Sequence, residues 1–235
     1  MDVPAVESAK MEQMQERLSS TRITLRPIAS PAALGFIGLM GATFVVGGLN
    51  LGWIGAGEAE LVGLILLAFV APLQILASVL GYFGRDAAIG TGMGVLSGTW
   101  ASFGLILLTS KPGSTSDAAG TLFVVSGVAM LVPAAVAFGA KRVPAAVLSL
   151  AALRFLTSGI YQLSGSHAWE AITGWVGLLL GAVALYAALA VALEDSKGRT
   201  ILPTGRLAMG RTAVTGTLTD QLQGIEHEAG VRKQL

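Results

Sequence analysis

LVGLILLAFVAPLQILASVLGYFG, residues 61–84, runs for 24 residues without an Asp, Glu, Lys or Arg. At about 1.5 Å of rise per helical residue such a stretch covers the roughly 30 Å of a bilayer's hydrocarbon core. No water reaches a bare backbone there, so the stretch is expected to be a membrane-spanning helix. Five more stretches pass the same test. Residues 31–57, 87–110, 118–140 and 171–193 carry no charge, and residues 143–166 carry one, Arg154. Each is long enough to cross once and too short to cross twice. The alternation of apolar and polar residues that marks a membrane barrel is absent. The expected fold class is therefore an all-α integral membrane protein with six transmembrane helices, at about 31–52, 60–83, 87–109, 118–140, 143–164 and 170–193. Together they make a domain of residues 30–195, between an N-terminal tail (1–29) and a C-terminal tail (196–235).

Composition supports that class. Of 235 residues only 12% are charged, 53% are hydrophobic and 31 are glycine. Soluble chains average about 25% charge and about 7% glycine, whereas lipid disfavours charge and helices packed in lipid favour glycine. A net charge of +1 offers no basic surface to nucleic acid. With no cysteine, disulfides, thiolate chemistry and cysteine-bound metal are excluded.

Charged and turn-forming residues separate the spans: Gly55 to Glu60, Arg85-Asp86, Lys111-Pro112-Gly113-Ser114, Lys141-Arg142, and Ser164 to Glu170. The first 30 residues have charges and no apolar core, so the first span is expected to serve as the insertion signal. Thirteen of the 15 Lys and Arg residues fall in the tails, at Arg85 or at 141–142; Lys111 alone lies on the opposite side. The positive-inside rule then places both termini in the cytoplasm, at the cell membrane. Met11, Met14 and Leu18 share one helical face, which suits either a short interfacial helix over residues 5–20 or a solvated tail. Residues 206–235 are polar and rich in Thr and Gln.

Catalytic constellations are missing. The two histidines, His167 and His227, lie outside the spans, no Asp lies within one, and no serine at membrane depth has a candidate base. An enzyme is not expected, nor is a metal or cofactor. Small residues recur at helical spacing instead: Gly90, Gly94 and Gly98 in the third span, and Gly174, Gly177, Gly181, Ala184 and Ala188 in the sixth. The first span adds Gly35, Gly38, Gly41, Gly47 and Gly48. Such faces either let helix backbones touch or widen an axial passage. Gly90-Thr91-Gly92-Met93-Gly94 follows no strand and is not a nucleotide loop.

Polar residues within the spans hold what remains. Arg154 sits mid-span, where a cation costs about 2.5–3.5 kcal/mol on insertion scales; it either attracts an anion or pairs internally. Gln74 follows Pro72 by two residues and either lines a pathway or bridges two helices. Thr43, Thr91, Ser97, Thr99, Ser102, Ser126 and Thr157 are expected mostly to bond back to their own helix carbonyls. Trp53 and Trp169 lie at span edges, as interfacial aromatics do. Trp100 is deeper and a better lining candidate.

Three stretches carry a family resemblance. Ser30-Pro31-Ala32-Ala33-Leu34-Gly35 opens the first span, and Gln74, Tyr82, Gly90 and Trp100 punctuate the second and third. Gly174-Trp175-Val176-Gly177, Tyr186 and Gly198-Arg199-Thr200-Ile201-Leu202-Pro203-Thr204-Gly205 close the domain. In this order and span count, residues 28–206 resemble the acetate uptake transporters, also called succinate–acetate permeases. The resemblance implies six helices bundled around an axial pathway, assembled as a homo-hexamer, that moves acetate and related small carboxylates passively or with protons. Position by position, it implies a constriction at Leu39, at Leu96 or Ser97, and at Leu150. Departures from the family pattern include Ser30 for Asn, Ala33 for Pro, Gly81 for an acidic residue and the loss of constriction aromatics. These bear on substrate identity more than on fold. A scaffold or sensor that kept the fold without transport, and a pore for a small neutral solute, are the competing expectations.

Overall fold

The computed structural model describes residues 11–13, 29–207 and 211. Among them, six helices are long and apolar enough to cross a membrane: α1 (Ala32–Asn50), α2 (Ala56–Phe83), α3 (Ala87–Thr109), α4 (Asp117–Phe138), α5 (Arg142–Ser164) and α6 (His167–Lys197). The described residues include no strand, only an isolated bridge between Lys141 and Arg206. The proposed interfacial segment 5–20, apart from residues 11–13, and most of 206–235 lie outside the described residues.

Each helix packs on its neighbours in sequence, and α6 returns to pack along α1, so the six close into a ring. Their inward faces form one continuous buried cluster that includes Phe36, Leu39, Met93, Leu96, Trp100, Leu148 and Phe155. The outward faces keep large apolar side chains exposed, among them Ile75, Val79, Val128, Leu131, Leu179 and Leu189. Their solvent is lipid, which has no preference for burying them.

Two helices run longer than hydropathy suggests. α2 already begins at Ala56, and α6 extends from His167 to Lys197. The added turns carry Glu58, His167, Glu194 and Asp195, polar residues that suit the headgroup layer but dilute any apolar window. α2 is also not uniform. Its turn at Leu66–Val70 is π-helical and leads into Pro72. Proline has no N–H to donate, and its ring crowds the carbonyl four residues back, so a widened turn just before it relieves the clash. Ends are capped locally. The Asp86 carboxylate accepts from the Ile89 N–H at 3.1 Å, and the Ser116 hydroxyl accepts from the Ala119 N–H at 3.3 Å.

Glycine sets how closely the helices approach. A methyl group on Gly63 would stand 2.7 Å from the Gly104 carbonyl oxygen, and one on Gly104 would stand 2.9 Å from that of Gly63. Farther along the same helix pair, a Cβ on Gly81 would lie 2.8 Å from the Gly90 nitrogen. At the α4–α5 contact, one on Gly159 would lie 3.0 Å from the Gly120 oxygen. The small-residue faces are thus packing surfaces. Gly98 differs, being exposed with nothing within 4 Å of its missing Cβ.

Gly63→Leu therefore tests the packing directly. It forces α2 and α3 apart against backbone that cannot yield, and should cost about 1–3 kcal/mol, the usual range for overpacking. Gly139→Ala, where a Cβ meets nothing within 4 Å, should stay within about 0.5 kcal/mol of the parent. Melting temperatures of the detergent-purified variants check both.

Candidate functional site

Of the eight interior positions that are candidates from the sequence, the ring buries seven. Leu39, Thr43, Gln74, Leu96, Trp100 and Arg154 have almost no exposed surface, and Ser97 has little. Leu150 is partly buried and packs against the same cluster. The apolar members belong to one buried cluster, the apolar belt. Trp100 of α3 lies with its ring centroid 5.2 Å from that of Phe155 on α5, and Phe155 is 5.7 Å from Phe123 on α4.

Polar side chains divide into two groups. The hydroxyls of Thr43, Thr99 and Thr157 donate to their own helix, to the carbonyls of Met40 (3.1 Å), Val95 (2.7 Å) and Arg154 (3.0 Å). Others tie helices together. Ser97 donates to the Ala71 carbonyl of α2 at 2.9 Å, Ser78 to the Gly90 carbonyl of α3 at 2.6 Å, and Thr99 meets Ser126 of α4 at 2.8 Å. Because Ser97 is committed to α2, Leu96 is the apolar candidate on α3.

The second group keeps atoms without a partner. Both amide atoms of Gln74, the Trp100 indole N–H, the Arg154 Nε and the Thr173 hydroxyl are buried without a hydrogen bond among the described residues. They come from four different helices. Each unmade bond of this kind costs about 1–3 kcal/mol in a packed interior. The guanidinium of Arg154 is otherwise held by the Ser158 hydroxyl, and by the Asn50 side-chain oxygen at 3.1 Å. Asn50, Ser158 and Thr173 were not picked out from sequence. The spacing of Arg154 and Ser158 by four residues was the one available signal.

A second polar centre closes one end of the ring. Past α6 the chain reverses at Gly198 (φ 61°), and residues 200–207 fold back along the end of the bundle. Glu194 is the hub. Its carboxylate accepts from the hydroxyls of Thr200 (2.8 Å) and Thr204 (3.2 Å) and from the Arg206 Nε (2.8 Å). The N–H groups of Arg142 and Val143 donate to the carbonyls of Gly205 (3.0 Å) and Thr204 (3.1 Å), and that of Leu207 donates to Ala140 (2.9 Å). Tyr186 donates its hydroxyl to the Pro203 carbonyl at 2.9 Å. Gly205 (φ 66°) lies so close to Arg142 that a Cβ would stand 2.7 Å from the Arg142 Cβ. Arg199 is exposed and Leu202 half-buried. The closing signature thus builds a strap, and Glu194, which sequence reasoning also passed over, anchors it.

Beside the strap lies a cavity of about 830 Å³, lined by Ser30, Pro31 and Ala32 from one end of the chain and by Glu194, Gly198, Thr204 and Arg206 from the other. Arg85, Asp86 and Lys141 complete its wall, with Lys141 Nζ 3.5 Å from Asp86. Of the remaining opening residues, Leu34 is half-buried, and Gly35 is buried where a Cβ would press on Met93 and Ala77.

The strap generates a prediction. Glu194→Gln removes the charge that Arg206, Thr200 and Thr204 share, and a hydrogen bond to a charged group is worth about 1.5–3 kcal/mol. Trypsin should then cut after Arg199 or Arg206 at least about tenfold faster than in the parent, since about 1.4 kcal/mol is a factor of ten in opening. Limited proteolysis with mass spectrometry reads the sites.

Comparison with known proteins agrees with this architecture. The succinate-acetate/proton symporter SatP of Escherichia coli (strain K12) is 30% identical over 183 residues, which cover 76% of this chain and 96% of SatP. An uncharacterized protein of Methanothermobacter thermautotrophicus is 31% identical over 192 residues, covering 75% of this chain and 91% of its own. A solved structure of the bacterial acetate channel SatP superposes with a TM-score of 0.68 at 26% identity, over 76% of this chain and 99% of that one. No family model matches. With six apolar helices closed into a ring and near-complete coverage of SatP at this identity, the chain belongs to the SatP family of multi-pass membrane transporters.

Proposed function

We propose that this protein moves acetate and related small monocarboxylates through the axis of its helix ring, passively or together with a proton. The observation that carries this reading is the set of unpartnered polar groups inside the ring, above all Gln74, whose amide is buried with neither N–H nor oxygen bonded. A scaffold has no use for such a group, and a leucine there would be more stable. A carboxylate has. With a pKa near about 4 it is ionised at about pH 7, and it crosses an apolar belt only where N–H or O–H donors replace its water. Gln74 and the Trp100 indole supply such donors beside Leu39, Leu96 and Leu150.

In the conformation described, Leu39, Leu96 and Trp100 have no exposed surface. The belt is therefore a closed gate, and passage requires these side chains to move apart. The cavity at the strap end is a vestibule, and the protein assembles as a homo-hexamer, as its family resemblance implies. Both termini face the cytoplasm. Residues 29–32 and 194–206 line one common cavity with Arg85 and Lys141, which supports placing both ends and most of the basic residues on one side.

Uptake of labelled acetate into proteoliposomes tests the function; flux no greater than in protein-free vesicles would overturn it. Gln74→Met keeps the length of the side chain and removes its polar atoms. It should lower acetate flux by about tenfold or more while stability rises by up to about 1–3 kcal/mol, because an orphaned buried amide is lost. Orientation has its own check. Ser114→Cys, the single thiol in a chain without cysteine, should react with an impermeant reagent on intact cells; labelling only after permeabilisation would reverse the topology.

A further inference from the structure

Two charged side chains are buried among the described residues, Arg154 and Glu194, and they are treated differently. Glu194 has Arg206. Arg154 has no carboxylate: none of the described ion pairs includes it. It lies 12 residues into α5, about 18 Å from the start of a 23-residue helix, so neither membrane surface is close to its Cα. A guanidinium carries five N–H donors in a planar fork. One goes to the Ser158 hydroxyl, itself already bonded to the Arg154 carbonyl at 2.7 Å, and one to Asn50 at 3.1 Å. The partners are neutral, and Nε has none.

The surroundings are built around this cation. Gly177 of α6 faces it, and a Cβ there would stand 2.8 Å from Nε. One turn earlier on α6, the buried Thr173 hydroxyl is also unpartnered. Between them, Gly174 packs against Asn50, 3.4 Å from a Cβ at the glycine to that of the asparagine. Leu150 of the apolar belt precedes Arg154 by four residues on the same helix face, while the guanidinium itself extends the other way, toward Ser158 and the end of α1 at Asn50. Arg154 thus brings a buried charge with spare donors, and α6 brings a second spare donor at Thr173, one turn from the glycine that faces the guanidinium.

We propose that Arg154, with Thr173, forms a binding subsite for an ionised monocarboxylate between the gate and the end of α1 at Asn50, the substrate supplying the counter-charge. The proposal rests on the transport reading above. It adds that the species held is the anion, and that a fixed cation at this depth repels cations from the pathway.

Asn50→Asp is the decisive variant, since it supplies the missing carboxylate from within the chain. Acetate binding is measured on the detergent-purified protein by calorimetry and by the acetate-dependent rise in melting temperature. Acetamide, of like size and no charge, is the control. The parent should bind acetate and not acetamide. Asn50→Asp should melt at or above the parent temperature without ligand, yet bind acetate about tenfold or more weakly, because its guanidinium is already paired. Arg154→Gln should lose binding as well, and Thr173→Val should weaken it about three- to tenfold. Parental affinity in folded Asn50→Asp, no acetate binding by the parent, or equal binding of acetamide would each overturn the subsite. Labelled-acetate flux in proteoliposomes separates this proposal from the transport reading. Binding that Asn50→Asp abolishes, with no flux in the parent, upholds the subsite and ends the transport reading. Parental flux and affinity in every variant does the reverse.

Discussion

Close backbone contact between helices is what the rest of this structure stands on. In lipid no hydrophobic force draws helices together, because the tails outside are as apolar as the side chains inside. What remains is van der Waals contact and hydrogen bonding, and both need short distances. Gly63 against Gly104, and Gly81 against Gly90, bring α2 and α3 to a separation at which a single methyl group would collide with main chain. At that range the Ser78 and Ser97 hydroxyls reach carbonyls on the neighbouring helix. Around the ring the same device recurs at Gly120 and Gly159 and at Gly47 and Gly174. Helices held so tightly at their flanks leave room on the inward faces for Trp100, Phe155 and Arg154, which are among the largest fully buried side chains.

That division of labour explains what could be read from sequence. Spans are local properties, set by runs such as residues 61–84, and all six were legible because lipid penalises charge residue by residue. The small-residue faces were legible too, as spacing, although which pairs meet depends on ring order. The π-helical turn before Pro72 has a local cause but no distinctive composition. Long-range partners left no trace. Asn50 and Arg154 are 104 residues apart and meet because α6 packs against both α1 and α5. Glu194 reads as one of several charges at a helix end until Thr204 and Arg206 fold back onto it. The closing signature was visible as a pattern, while its mechanical role as a strap was not.

Departures from the family pattern make sense on the same terms. Gly81 stands where an acidic residue is usual, and here it lets α2 touch the Gly90 backbone. An added side chain there would demand a wider crossing, so substitutions at such a position change geometry before chemistry. Ser30, in place of the opening Asn, lies half-buried in the cavity wall rather than between helices.

Buried polar groups differ in whether the fold satisfies them. Interior hydroxyls that hold the ring are satisfied: Ser78, Ser97, Thr99, Ser126 and Thr157 each have a partner. Glu194 is satisfied more than once over, at the edge of the membrane where water could have served it. Gln74, Trp100, Arg154 and Thr173 are buried as well, and keep atoms without a partner. Were these four merely structural, neutral apolar side chains of similar volume would hold the same helices at lower cost. A sequence is expected to break such a rule where function demands it. On the transport reading proposed above, this unfilled hydrogen-bonding capacity is what a small anion meets on its way through the ring.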